Sequence, residues 1–234
     1  IIDFSETKHD KSTYSIFGGS IVLEGSTLNA RQFATQGSRE KMAAQIFTGT
    51  EHFRSGASKV TKDTPEPYKK VQSWLQVSYQ NETYHKVSPK FTLGAYLEAY
   101  YSSRNFSNNY TATLMQAGEF TPTAHSKVTY NEAFRANQYA GVGAMPIYQL
   151  SESFQLRGEF YGFVPIFPIK KDEYGQAYYG KAFTKFEYLG EISLVFQLSF
   201  GSISAYVNHY SSPSNDWNVG LTLGWQLFNS RFIE

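Results

Sequence analysis

Cysteine is absent from this chain. That excludes a disulfide scaffold, a thiolate zinc site and a cysteine nucleophile. The five histidines, His9, His52, His85, His125 and His209, are scattered, with neither a His-Glu-x-x-His nor a His-x-His pair among them. Neither charge sign dominates: 21 Lys and Arg stand against 20 Asp and Glu, without the basic excess of a nucleic-acid binder. No run approaches the roughly 18 apolar residues of a membrane helix. Gly-x-Ser-x-Gly, Gly-x-Gly-x-x-Gly and phosphate-loop patterns are all missing, and Ser20 after Gly18-Gly19 falls inside an alternating stretch, a structural place for it. The residues from Ile1 onward show no secretory-leader pattern, and the chain is expected to be a processed or partial one.

Helical periodicity is nearly absent as well, and period-two alternation takes its place. Phe91, Leu93, Ala95, Leu97, Ala99 and Tyr101 share one face, opposite Thr92, Gly94, Tyr96, Glu98 and Tyr100. Leu156 and Phe160 oppose Gln155, Arg157 and Glu159; Ile192 and Leu194 oppose Glu191 and Ser193; Val219, Leu221 and Leu223 oppose Asn218, Gly220 and Thr222. Nine such strands are predicted, over 13–25, 39–52, 70–83, 89–103, 133–147, 152–166, 183–199, 202–211 and 216–229. They exceed the five or six residues common in globular sheets. Segments of about ten alternating residues with aromatics near their ends mark transmembrane barrels, and 17% of this chain is aromatic. A soluble sandwich or a lipocalin-like barrel is the rival reading.

The connections alternate. Arg54–Lys69, Arg104–Glu132 and Phe167–Ala182 are long, Ser212–Asn215 is short, and Tyr84–Ser88, Gln149–Ser151 and Phe200–Gly201 are tight. Outer-membrane barrels have short periplasmic turns and long external loops, which puts Glu234 on the periplasmic side. Asn218-x-Gly220-x-x-Leu223-x-Trp225 fits a barrel's final strand, the segment an outer-membrane assembly machine engages. Nine is odd, whereas closed bacterial barrels have even counts and open edges are not tolerated in lipid. The expectation is that an N-terminal portion is missing.

The segment Leu28-Asn29-Ala30-Arg31-Gln32-Phe33-Ala34-Thr35-Gln36-Gly37-Ser38-Arg39 resembles the periplasmic turn of the BamA-type surface-antigen barrels, with Ala34 in place of the usual proline. Ser107–Thr113, Asn131–Asn137, Phe154–Tyr161 and Phe228–Arg231 are similar to the C-terminal barrels of Bacteroidetes patatin-like proteins, and the likeness spans nearly the whole chain. It implies an all-β, transmembrane antiparallel β-barrel domain over 1–234, its nine strands the eighth to sixteenth of sixteen. It implies an upstream periplasmic POTRA module and a patatin phospholipase domain. It also makes Arg104–Glu132 similar to the loop that folds back into the lumen. That loop's usual Val/Ile-Arg-Gly-Phe/Tyr tip is absent, and Phe134-Arg135-Ala136-Asn137 is the nearest segment.

No catalytic, cofactor or metal residue is assigned. The residues singled out are structural: Arg31, Thr35, Gly37 and Arg39 in the turn motif; Phe134, Arg135, Asn137, Arg157 and Glu159 in lumen packing and loop anchoring; Asn218, Gly220, Leu223 and Trp225 in the final strand. An ion-pair network in the lumen is the reading for Arg157 and Glu159, a solvated lumen for Glu187 and Glu191, and a carboxylate partner for Arg135. Asp172, Glu173 and Gly175 lack EF-hand spacing and fit a solvated loop tip. Lys59–Lys70 reads as an exposed loop, with lipopolysaccharide phosphates a rival role. The expected function is a non-catalytic outer-membrane anchor or translocation barrel of a patatin-like protein. An assembly or secretion barrel and a porin-like or surface-binding barrel are the alternatives. Expected partners are outer-membrane lipid or lipopolysaccharide, the assembly machinery and the upstream domains, with no nucleic acid and no cofactor.

Overall fold

The computed structural model describes residues 11–54, 68–212 and 217–225. The alternating stretches all form strands: β1 (Lys11–Ser26), β2 (Gly37–Arg54), β3 (Tyr68–Lys86), β4 (Phe91–Ser102), β5 (Gln138–Gln149), β6 (Phe154–Pro165), β7 (Glu187–Leu198), β8 (Gly201–Tyr210) and β9 (Trp217–Trp225). They make one antiparallel sheet in which each strand pairs with its sequence neighbour, and among the described residues β1 and β9 each have a single neighbour. Antiparallel neighbours need only a turn between them, so the order of the sheet follows from the order of the chain. Residues 1–10, the 59–67 part of the lysine-rich loop and the 226–234 ending lie outside the described residues.

Most strand bounds fall within three residues of the alternation pattern, and two strand starts differ by four or more, each for a local reason. The fifth strand starts at Gln138 rather than 133, because Glu132–Phe134 form a 3₁₀ turn and Arg135–Ala136 pair with Gly118–Glu119 instead. The seventh starts at Glu187 rather than 183. Phe183 has φ +55, a left-handed conformation that cannot continue a strand.

The sheet is strongly curled. Adjacent strands lie about 4.8 Å apart, so β2 and β8 would stand roughly 29 Å apart in a flat sheet. Gln32, in the turn before β2, nevertheless accepts a hydrogen bond from Ser202 of β8 at 2.9 Å. Gln32 is five residues from β2, and an extended chain spans only about 3.5 Å per residue. The turn cannot cover the distance alone, so the sheet wraps.

Curling creates an inner and an outer face, and their polarity is inverted relative to a water-soluble sheet. On the inner face Gln155, Arg157, Glu159, Glu191, Ser193, Ser204 and Asn208 are all buried. On the outer face Leu97, Leu156, Ile192, Leu194 and Ile203 are each more than 40% exposed, and Leu221 reaches 81%.

What buries the inner face is the arm between β4 and β5. It carries α1 (Tyr110–Gln116), whose N-cap Asn109 accepts from the Ala112 N–H at 2.7 Å. The short Gly118–Glu119 and Arg135–Ala136 pairing closes the arm on itself. Phe120 and Phe134 project from it onto the sheet, against Tyr139, Phe163 and Tyr210. Phe120 lies so close to β5 that a Cβ at Gly141 would enter its ring. The core is thus a layer of aromatics between an irregular arm and one wall of the sheet.

Candidate functional site

The turn motif folds as a self-contained unit. The Asn29 carboxamide oxygen accepts from the Thr35 and Gln36 N–H groups at 2.9 and 3.0 Å, and its nitrogen donates to the Thr35 hydroxyl at 2.9 Å. Asn29 therefore does the local backbone bonding that closes the turn. Gly37 has φ +93, where a Cβ would meet the Thr27 carbonyl. Phe33 also sits at a positive φ, +53, which costs a non-glycine residue about 1–2 kcal/mol. That conformation aims its carbonyl inward, where Gln155 and Gln197 donate to it at 3.3 and 3.2 Å. Arg39 pairs with Glu24 at 2.8 Å and Arg31 is exposed on the turn.

Behind the turn lies a buried ion pair, Arg157 with Glu159. Arg157 Nε donates to Glu159, Nη1 to the Ala34 carbonyl at 2.8 Å and Nη2 to the Tyr84 hydroxyl at 2.6 Å. Tyr161 donates to the other Glu159 oxygen at 2.8 Å. Every guanidinium edge is used, and the group ties β3, β6 and the turn together. An isolated buried charge costs several kcal/mol, and such a set of partners compensates it.

The arm has its own set of contacts. Arg135 finds its carboxylate in Glu119, at 2.7 Å; this partner belongs to the arm itself, so the pair shapes the arm rather than tying it to a strand. Asn137 donates to the Tyr179 hydroxyl at 2.9 Å, linking the arm's exit to the next long loop. Phe134 packs edge-on against Tyr210. Glu98, buried, accepts from Tyr96 and from Tyr139.

Glu187 and Glu191, placed in a solvated lumen by the alternation alone, are buried and occupied. Glu187 accepts from Ser211 and pairs with Lys185. Glu191 accepts from His125 Nδ1 at 2.6 Å and from Asn208. The His125 ring stacks on Tyr206 at 3.6 Å between centroids, and Ser204 Oγ lies 3.5 Å from its Nε2. Serine, imidazole and carboxylate thus stand in the order of a hydrolytic triad. Ser204 is only 1% exposed, so no substrate carbonyl reaches its hydroxyl, and the arrangement acts as a latch holding the arm tip to β7 and β8. Nothing in the sequence pairs His125 with a carboxylate 66 residues away; only the curl of the sheet does.

At the rim carrying the long loops, Glu51 accepts from Tyr14 at 3.0 Å and from the Asn108 N–H at 3.3 Å. Arg104 lies over the Trp74 ring, 4.2 Å from its centroid. Burial pushes the Arg104 guanidinium below its ordinary value, with Tyr14 and Glu51 acting against the shift. In the 166–186 loop the Asp172 carboxylate accepts from the Tyr174 and Gln176 N–H groups, closing a turn at Gly175. Among the described residues no group of three or more His, Asp or Glu is placed to hold a metal ion.

The final-strand residues sit on an edge. Asn218 opposes Asn208, Gly220 opposes Tyr206, and Trp225 opposes Gly201. The Tyr206 ring covers Gly220, which leaves room for the His125 stack. Leu223 is exposed on the outer face. Compared with protein-family models, curated proteins and solved structures, the chain matches none of them.

Proposed function

We propose that this chain is the wall of an outer-membrane antiparallel β-barrel, non-catalytic in itself, that anchors an upstream patatin-like domain. The observation that carries the membrane reading is the inversion of the faces. In water, a sheet with Leu97, Ile192, Leu194 and Leu221 outward and Arg157, Glu159 and Glu191 inward exposes a broad apolar surface, which soluble monomers avoid. In a bilayer that surface is the solvated one. The antiparallel order and the long strands suit the same setting, since a spanning sheet must satisfy its backbone within itself. On this reading the nine strands are one part of a sixteen-stranded barrel, with the long loops outside and the turn at Arg31–Phe33 in the periplasm.

The anchoring role rests on the resemblance carried by the turn motif and the arm. Hydrolysis would belong to upstream residues, since the chain has no nucleophile elbow. The arm packed across the inner face favours an anchor over a wide porin-like pore. Membrane partition tests the reading. The full chain should remain with the membrane through an alkaline carbonate wash, need detergent for extraction, and show little conductance in planar bilayers. A monodisperse chain in detergent-free buffer would end the barrel proposal. The denaturing mass of the native polypeptide tests the anchor: a mass near 26.5 kDa removes the enzyme it was proposed to hold.

A further inference from the structure

At the turn end of the inner face, between the turn, β2–β4, β6 and the 121–127 stretch of the arm, lies a cavity of about 360 Å³. Its volume is that of about a dozen waters and within the range of small-ligand sites. Its wall is polar and carries five cations, Arg31, Arg39, Lys41, Lys127 and Arg157, against two carboxylates, Glu82 and Glu159. In a chain whose total charge is +1, such a concentration is local and not a product of composition.

The cations divide into two sets. Arg157 is closed by Glu159, and Arg39 lies 2.8 Å from Glu24 and 3.9 Å from Glu82. Arg31, Lys41 and Lys127 have no ion pair among the described residues. They come from three different segments, the turn, β2 and the arm, which the curl of the sheet brings to one cavity. Glu24 stands opposite Lys41 in the β1–β2 register but is engaged by Arg39, so cations outnumber carboxylates around the cavity, and a bound anion offsets that excess. The Arg31 guanidinium supplies a fork that matches an oxyanion, and the lysines supply point charges. The neutral amide of Gln80, which faces inward from β3 opposite Lys41, and the two wall carboxylates supply partners for hydroxyl groups.

We infer that this cavity binds a small phosphate ester carrying hydroxyl groups, held by Arg31, Lys41 and Lys127. The phosphate could arrive as a free phosphorylated polyol or as the headgroup of a lipid whose acyl chains stay outside. The site does not depend on the membrane reading, because the arm and the sheet form it without any bilayer.

The test is titration calorimetry on the full chain, in detergent or, if the chain proves soluble, in buffer, with glycerol 3-phosphate, glycerol and dihexanoyl phosphatidylglycerol below its micelle concentration. Glycerol 3-phosphate should bind saturably, weaken as salt rises, and lose at least tenfold in the R31Q/K41Q/K127Q variant. Glycerol alone should not bind. Competition between the short-chain lipid and glycerol 3-phosphate assigns the phosphate to a headgroup; binding of the free ester alone assigns it to a soluble metabolite. Circular dichroism and protease resistance of the variant, matched to the parent chain, show that the charges and not the fold were removed. No saturable binding of glycerol 3-phosphate, or equal binding by the folded variant, overturns the inference. Neither result alters the membrane-partition experiment.

Discussion

Leu194→Arg separates the two environments open to this sheet. Leu194 lies near the middle of β7, opposite Leu156 on β6 and Ala205 on β8. It is 43% exposed on the outer face, with Ile192 at 49% beside it. In water, a charge placed at an exposed mid-strand position changes stability by no more than about 0.5 kcal/mol. At the centre of a bilayer the same charge on the lipid-facing side of a barrel costs about 2–4 kcal/mol. The difference, roughly 2–3 kcal/mol, is a factor of about 30–150 in the folding equilibrium. The assay is reversible folding of the full chain into vesicles, followed by denaturant titration of tryptophan emission. A Leu150→Arg variant serves as the comparison: Leu150, 50% exposed in the tight β5–β6 turn, should tolerate the charge, because the cost falls to about 0–1 kcal/mol near an interface. Equal effects within 0.5 kcal/mol at the two positions would refute the lipid-facing assignment of the outer surface.

Three other outcomes follow from the inner face. Phe120→Ala removes the ring that touches Tyr96, Tyr139, Tyr161 and Phe163; a loss of about 3–5 kcal/mol should speed amide exchange in the arm by roughly two to four orders of magnitude, leaving β5–β7 protected. Arg157→Met strands the Glu159 carboxylate beside Tyr161 and should cost about 3–5 kcal/mol by denaturant titration, whereas Arg157→Met with Glu159→Gln should recover much of it. Asn29→Ala removes three hydrogen bonds from the exposed turn; at about 0.5–1.5 kcal/mol for each net bond, it should lower stability measurably and raise proteolysis within 28–36.

The strands were legible because a period of two is imposed by the pleat itself. Leu156 and Leu194 announce the outer face whatever surrounds them, and each strand then pairs with its neighbour in sequence. The arm was not legible in the same way. Asn109 before Tyr110–Gln116 is an N-cap signal that could have been read, but the seven-residue helix it starts is too short for a periodic pattern. The alternation separates Glu98, Glu187 and Glu191 from the apolar face of their strands, yet their partners are hidden in it. His125 reaches Glu191, and Arg157 reaches Ala34, only through the curl of the sheet, a property of the whole ladder rather than of any segment. Arg135 illustrates the same limit: a carboxylate was foreseeable from its charge, but that it would be Glu119 depended on the pairing of two short strands.

The inverted faces also explain why the arm has the composition it does. An inner wall carrying Gln155, Arg157, Glu159, Glu191 and Asn208 is comfortable in contact with water and gains nothing from an apolar cover. The arm meets it in two ways. Over the aromatic strip formed by Tyr139, Phe163 and Tyr210 it places Phe120 and Phe134, and there burial of apolar area favours docking. Over the charged flank it places His125 against Glu191, because a carboxylate excluded from water without a partner would cost more than the docking returns. Toward the turn, the arm carries Lys127, Thr121 and Pro122, and the contact opens into the polar cavity. Docking is therefore complete where the wall is aromatic or fully paired and incomplete where its charges are unmatched. The same division that holds the arm in place leaves Arg31, Lys41 and Lys127 lining open space at the turn end, where an anionic solute would improve the electrostatics rather than disturb them.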